Sequence, residues 1–132
     1  MNNREIINHV TGKSVYLDDI PVLKNTLFAA VFGSPVAHGR ITHFDTYGAE
    51  SLRGVEKIFT WRDIPGKNDI GGIISDETLF AQDEVHYYGQ PIALIVAADE
   101  HTARKALSLI EFEAEKLDVV TDPRIAFNKG QL

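Results

Sequence analysis

The residue types best suited to chemistry fall in one glycine-rich stretch and a few scattered positions. Gly66, Gly71 and Gly72 punctuate GKNDIGG (66–72), a density that invites comparison with phosphate-cradling loops. The spacing fails that comparison. Lys67 is followed by Asn68 rather than Ser or Thr, Trp61 stands where a P-loop needs its first glycine, and G-x-G-x-x-G is absent. These glycines read as points of positive φ or close backbone approach in an irregular loop. The five histidines, His9, His38, His43, His86 and His101, show no H-E-x-x-H or comparable ligand spacing. His38 and His43 can approach one another across a turn, but no acidic third ligand has a fixed offset from both, and zinc takes three or four protein ligands. Each histidine therefore reads as a turn or surface residue. Ser34 and Ser75 lack the G-x-S-x-G context of an exposed nucleophile. The carboxylate pairs Asp18/Asp19 and Asp83/Glu84 lie in turn-like stretches, where capping and solvation account for them. No residue is assigned to catalysis, to a cofactor or to a metal.

Composition narrows the classes further. The chain has 132 residues, 44% of them hydrophobic, which suits one domain with a core. Nineteen acidic against thirteen basic residues give a net charge of −6 without any Lys/Arg cluster, which argues against nucleic acid or an anionic membrane as partner. The absence of cysteine excludes disulfides, thiolate catalysis, iron–sulfur ligation and sulfur-based zinc sites. The opening MNNREIINHV lacks the apolar region of a secretory signal. The apolar run IALIVAA (92–98) is far shorter than the roughly 20 residues of a membrane span. A soluble, cytoplasmic protein is expected.

The elements that would position any site follow from periodicity. TLFAAVF (26–32), apolar on both parities, predicts a strand covered on both faces. GSPVAHG (33–39) reads as a turn, RITHFDT (40–46) as a second strand, and DTYGAESLRG (45–54) as a short helix. Asp45 or Thr46 would cap that helix, Ala49 and Leu52 face inward, and Gly54 stop it. VEKIFTW (55–61) returns as a strand. IALIVAA, opened by Pro91, is the most buried strand candidate. Asp99 caps a helix on which Ala103, Ala106, Leu107 and Ile110 share a face, with Glu100 and Arg104 paired outside. IEFEAEK (110–116) alternates as a half-exposed strand, and TDPRIA (121–126) has the cap-and-proline start of a short helix or turn. The interleaving predicts an α/β or α+β domain around a mixed sheet with two main helices.

Residues 61–85, WRDIPGKNDIGGIISDETLFAQDEV, hold three glycines, one proline and six acids with no sustained period. An unstructured connection beyond roughly 12–15 residues is uncommon, and one without chemistry of its own often lies against a partner surface.

Four phrases in order carry a resemblance: TGKSVYLDDIP (11–21), SPVAHGRI (34–41), the block from Asp63 to Ala97, and the closing IEFEAE with DPRIA. Together they resemble the α/β hammerhead domain of the xanthine dehydrogenase and aldehyde oxidase family, the N-terminal part of its molybdenum-binding large subunit. D-I-P-G-x-N, D-E-x-L-F-A and Y-x-G-Q-P lean towards xanthine dehydrogenase, while EKLD (115–118) departs from the family's E-E-L-P. The resemblance implies a domain over residues 10–126, a flexible segment over 1–9, and the start of a linker to cofactor domains over 127–132. It implies a parent enzyme that hydroxylates purines such as hypoxanthine and xanthine with water, using molybdenum-pterin, with iron–sulfur clusters and FAD on other domains or subunits. The remaining domains of that subunit, and through them the iron–sulfur/FAD subunits, would be the partners. No catalytic residue carries over, so this chain would supply structural and packing surface and bind no cofactor. The competing expectation is a stand-alone binding or scaffold module of the same fold. A small independent hydrolase or metal enzyme rests only on scattered His, Asp and Glu.

Overall fold

A computed structural model describes residues 3–130, as four helices and six strands. The helices are α1 (Asn3–Val10), α2 (Tyr47–Glu50), α3 (Glu100–Leu107) and α4 (Pro123–Asn128). The strands are β1 (Phe28–Gly33), β2 (Gly39–Asp45), β3 (Val55–Phe59), β4 (Glu84–Val85), β5 (Pro91–Ala97) and β6 (Glu111–Lys116). They form two three-stranded sheets, β1-β5-β3 and β4-β2-β6, and each of these pairings is antiparallel. The α+β class stands, but one mixed sheet is replaced by two antiparallel ones. The reason lies in the connections: β2-α2-β3 and β5-α3-β6 each leave one sheet and enter the other, so neither makes a parallel neighbour.

β5 is central because both its faces are apolar. Ala93, Ile95 and Ala97 are fully buried, and Ala93 and Ile95 pack with Ile58, Ala49 and Ala106. The helix over them is set by its cap: Asp99 Oδ1 accepts from the Thr102 N–H at 2.7 Å, and Ala103 and Ala106 turn inward. Small side chains at those two positions let helix and sheet backbones approach closely. Glu100 and Arg104 pair at 2.7 Å on the outer side. Ile110 lies past the helix end but still packs on this core. A second cluster joins Ala81, Val85 and Ile92. Phe32 links the two clusters and the two sheets: it lies on the cross-strand pair Phe44–Phe112, with ring centroids 6.2 and 5.9 Å away.

Local expectations are met in β6, where Phe112 and Ala114 point inward between exposed glutamates. α2 forms with Thr46 at the cap position, but Asp45 Oδ1 supplies the acceptor, to the Tyr47 N–H at 2.6 Å. Gly54, at φ +97°, ends the turn that follows. α4 starts on Asp122 and Pro123 as its sequence requires.

Three expectations change. β1 is an edge strand, not one covered on both faces: Ala30 and Phe32 turn inward, whereas Ala29 and Val31 are exposed. Trp61 leaves the strand for a 3-10 turn, Trp61–Asp63, because Thr60 and Asp63 form a reciprocal cap. Residues 3–9, within the segment expected to be flexible over 1–9, join Val10 in helix α1, with Glu5 near the N-terminus and His9 near the C-terminus, as the helix dipole favours. None of Arg4–Val10 is buried, so no core contact fixes that helix. Within the linker expected over 127–132, Phe127 and Asn128 still belong to α4, and 131–132 lie outside the described residues.

Candidate functional site

The 61–85 connection is irregular but internally bonded. Asp63 takes the Thr60 N–H at 2.9 Å and lies 3.0 Å from Lys57 Nζ; these contacts hold its carboxyl below the usual range, the Thr60 N–H contributing most. Asn68 pairs with Phe80 as a strand residue would, its side-chain amide donating to the Phe80 carbonyl at 2.7 Å and accepting the Phe80 N–H at 3.0 Å. The Ile70 N–H meets the Glu77 carbonyl at 2.8 Å. Asp69 takes the Ser75 hydroxyl and the Gly71 N–H, which together depress its pKa. A Cβ at Gly71 would collide with the Ile74 carbonyl, so this glycine serves close backbone approach rather than a ligand. Beyond these ties the tip is bare, with Ile73 fully exposed and Ile70 and Ile74 largely so.

Two other segments brace one another. The Ser34 N–H donates to the Gln90 carbonyl and the Gly89 N–H to the Ser34 carbonyl, both at 2.9 Å. Gly33 must lack a side chain because its Cβ would stand 2.9 Å from the Gly89 carbonyl oxygen. Gly89 supplies a φ of +84°. Gln90, 3% exposed, accepts the His86 N–H at 2.7 Å and reaches Thr78 Oγ1 at 3.4 Å. The SPVAHGRI and YYGQP phrases are thus one structural unit. Ser34 is buried and bonded to Val36, not placed as a nucleophile.

Beside that unit lies the group with most chemical capacity. The β2–β4 register sets Gly39 against Val85 and Arg40 against Glu84, which brings His38 alongside His86. His38 Nε2 is 2.9 Å from Glu84 Oε1, and His86 Nδ1 is 3.6 Å from the same oxygen. His38 Nδ1 meets the Asp118 carbonyl at 2.8 Å. That carbonyl first, and the Glu84 carboxylate second, raise the His38 pKa above its ordinary value; in turn, His38 chiefly lowers that of Glu84. A shallow cavity of about 260 Å³ opens here, lined by His38, His86, Asp118, Val119 and Val120. Among the described residues, this is the single cluster of three or more groups able to share a metal ion.

His43 does not join His38. It stands 3.4 Å from Glu111 in the β2–β6 pairing. Glu84, read as a turn residue, is a strand residue, and the Glu84-Val85-His86 spacing of two was the available signal. Its partner His38 was invisible without the register. His9 lies near Tyr16, His101 in the first turn of α3, Ser75 on Asp69, and Asp18 and Asp19 in a 3-10 turn, so none of these joins a catalytic arrangement.

The surface has a consistent bias. Val31, Leu94, Phe59, Val96 and Ala29 share, with Lys57, the face of the β1-β5-β3 sheet opposite the buried Ala93 and Ile95, and Val31 is 52% exposed. Leu17, Val22 and Leu23, in the irregular run before β1, are also exposed.

The profile of the aldehyde oxidase and xanthine dehydrogenase a/b hammerhead domain matches residues 11–118. The chain belongs to that family. The hammerhead sequence is 41% identical over 119 residues to "Xanthine dehydrogenase 1" of Arabidopsis thaliana, covering 90% of this chain and 9% of that protein. It is 35% identical over 137 residues to "Xanthine dehydrogenase molybdenum-binding subunit" of Escherichia coli O157:H7, covering 92% and 17%. Among solved structures, a Cu,Mo-CO dehydrogenase superposes with a TM-score of 0.80 at 33% identity, over 92% of this chain and 16% of that one. The quinoline 2-oxidoreductase of Pseudomonas putida 86 does so at 0.80 and 31%, over 94% and 17%. The hammerhead domain therefore spans under a fifth of these relatives. Among the described residues no buried side-chain nitrogen or oxygen lacks a partner, so none is left orphaned for a molybdenum-pterin to satisfy. With no cysteine, the chain offers no thiolate to an iron–sulfur cluster.

Proposed function

We propose that this hammerhead domain is the N-terminal part, over residues 10–126, of the molybdenum-binding subunit of a xanthine dehydrogenase-type enzyme. In that role it is a packing element, not a catalytic one. The parent hydroxylates a purine with oxygen from water and passes the electrons to iron–sulfur and flavin groups carried elsewhere. The observation that carries the reading is the 41% identity, over 90% of this chain, to a xanthine dehydrogenase. The bare apolar face around Val31 and Leu94 and the exposed Ile70, Ile73 and Ile74 tip support the packing role. Burial against the rest of the subunit would remove both from water, a gain of about 25 cal/mol for each Å² of apolar area.

Two-chain reconstitution tests it. The isolated chain is expected to contain no molybdenum and to leave xanthine unchanged. Co-expression with the remaining segments of the molybdenum-binding subunit and its redox partners is expected to give a complex that oxidises xanthine. Xanthine oxidation by the isolated chain would overturn the packing role. A complex that turns over aldehydes and not purines would overturn the substrate.

A further inference from the structure

We infer that His38, Glu84 and His86 form a binding site for one first-row divalent transition-metal ion, zinc being its simplest occupant. One ligand atom from each lies within 4.8 Å of the other two. Ligands placed about 2.0–2.2 Å from a tetrahedral zinc stand roughly 3.4 Å apart. The His38–Glu84 separation of 2.9 Å and the Glu84–His86 separation of 3.6 Å bracket that value. Seating an ion needs side-chain movements of a few tenths of an ångström at those two contacts, and closure of the His38–His86 pair from its present separation of under 4.8 Å.

The supporting groups match what a metal-binding histidine requires. His38 Nδ1 donates to the Asp118 carbonyl at 2.8 Å, which fixes the tautomer and leaves the Nε2 lone pair aimed into the cluster. In neutral His38 that lone pair faces a carboxylate oxygen, a contact that requires a proton or a cation between them. Glu84 and His86 project to one side of their segment because Val85, between them, is fully buried. Gln90 holds the His86 backbone from below, at 2.7 Å. The adjoining cavity leaves room for water as a fourth ligand. Two imidazoles and one carboxylate suit zinc, cobalt or nickel, and not magnesium or calcium, which take oxygen ligands. A bound ion would fasten the β4 end of the long connection to His38, and through it to the 117–120 segment, two regions far apart in the chain.

The test is titration of the chelator-stripped 132-residue chain with Zn²⁺ against a chromophoric competitor, with histidine ring resonances followed during addition of Co²⁺. The expected result is one ion per chain, with the rings of His38 and His86 responding first. His86→Ala and Glu84→Gln are expected to weaken binding about ten-fold or more, the scale on which supporting residues already act at metal sites. The His86 side chain is 63% exposed, so its removal leaves the fold intact, as circular dichroism would verify. His43→Ala, which removes the two-group surface pair with Glu111, is expected to change nothing. Zinc affinity unaltered by His86→Ala, or lost through His43→Ala instead, would overturn the assignment, as would the absence of stoichiometric binding.

Discussion

Replacing Gln90 with alanine removes the side chain that ties Thr78 and His86, at the C-terminal end of the long connection, to the start of β5. Gln90 is 3% exposed and accepts the His86 N–H at 2.7 Å, whereas its 3.4 Å contact with Thr78 Oγ1 is too long to weigh much. The dominant loss is thus an unsatisfied N–H in a half-buried place, at the lower end of the about 1–3 kcal/mol range for such groups. Truncating the buried stem adds about 0.8 kcal/mol per methylene. Together these give a destabilisation of about 2–3 kcal/mol, read by urea unfolding. Gln90→Leu restores the apolar volume without the acceptor, and is expected to recover part of the loss but not the protection of the His86 amide against hydrogen exchange. Both readouts are needed because a cavity alone would lower stability without singling out that amide. A cost for Gln90→Ala below about 0.5 kcal/mol, the scatter of surface substitutions, or an unchanged His86 amide, would refute the reasoning.

Four further outcomes follow from the same geometry. Ile95→Ala, at the fully buried centre of β5, is expected to cost about 2–5 kcal/mol and Ile95→Val about 0.5–1.5, measured by the same unfolding curves. Val31→Lys on the bare sheet face is expected to stay within about 0.5 kcal/mol in the isolated chain while blocking co-purification with the rest of the subunit. Amides of residues 72–75 are expected to exchange fast in the isolated chain and to slow in that complex. Asp99 accepts the Thr102 N–H, which lowers its pKa below 3.8, so the unfolded chain binds more protons as pH falls through that range. This contribution is complete above 3.8 and is lost as pH falls through the folded value. Asp99→Asn keeps the cap oxygen without the titration, and its urea midpoint is expected to fall less steeply under acid.

Local order was legible where a single segment carries its own instruction. The Asp99 cap and the Ala103/Ala106 face specified α3, the strict alternation of IEFEAEK specified β6, and Asp122-Pro123 specified the start of α4. β1 misled because alanine, valine and phenylalanine on both parities look the same whether or not the second face is covered. Coverage depends on a neighbour, and Ala29 and Val31 stay exposed. Trp61 misled in the same way, since the Thr60–Asp63 reciprocal cap ends the strand earlier than its aromatic character suggests.

By itself the sequence determined the α+β class, the family and the absence of any thiolate chemistry, because composition, periodicity and ordered phrases are properties of the chain read in line. Only the tertiary structure decided that the strands divide into two antiparallel sheets. It also decided that Gly33 meets Gly89, and that His38 faces Glu84 and His86 rather than His43. Those outcomes depend on which strands pair and in what register. Residues 38 and 84 are brought together by the β4-β2-β6 sheet, held by Val85, Ile92 and Phe112 in the core and not by either partner.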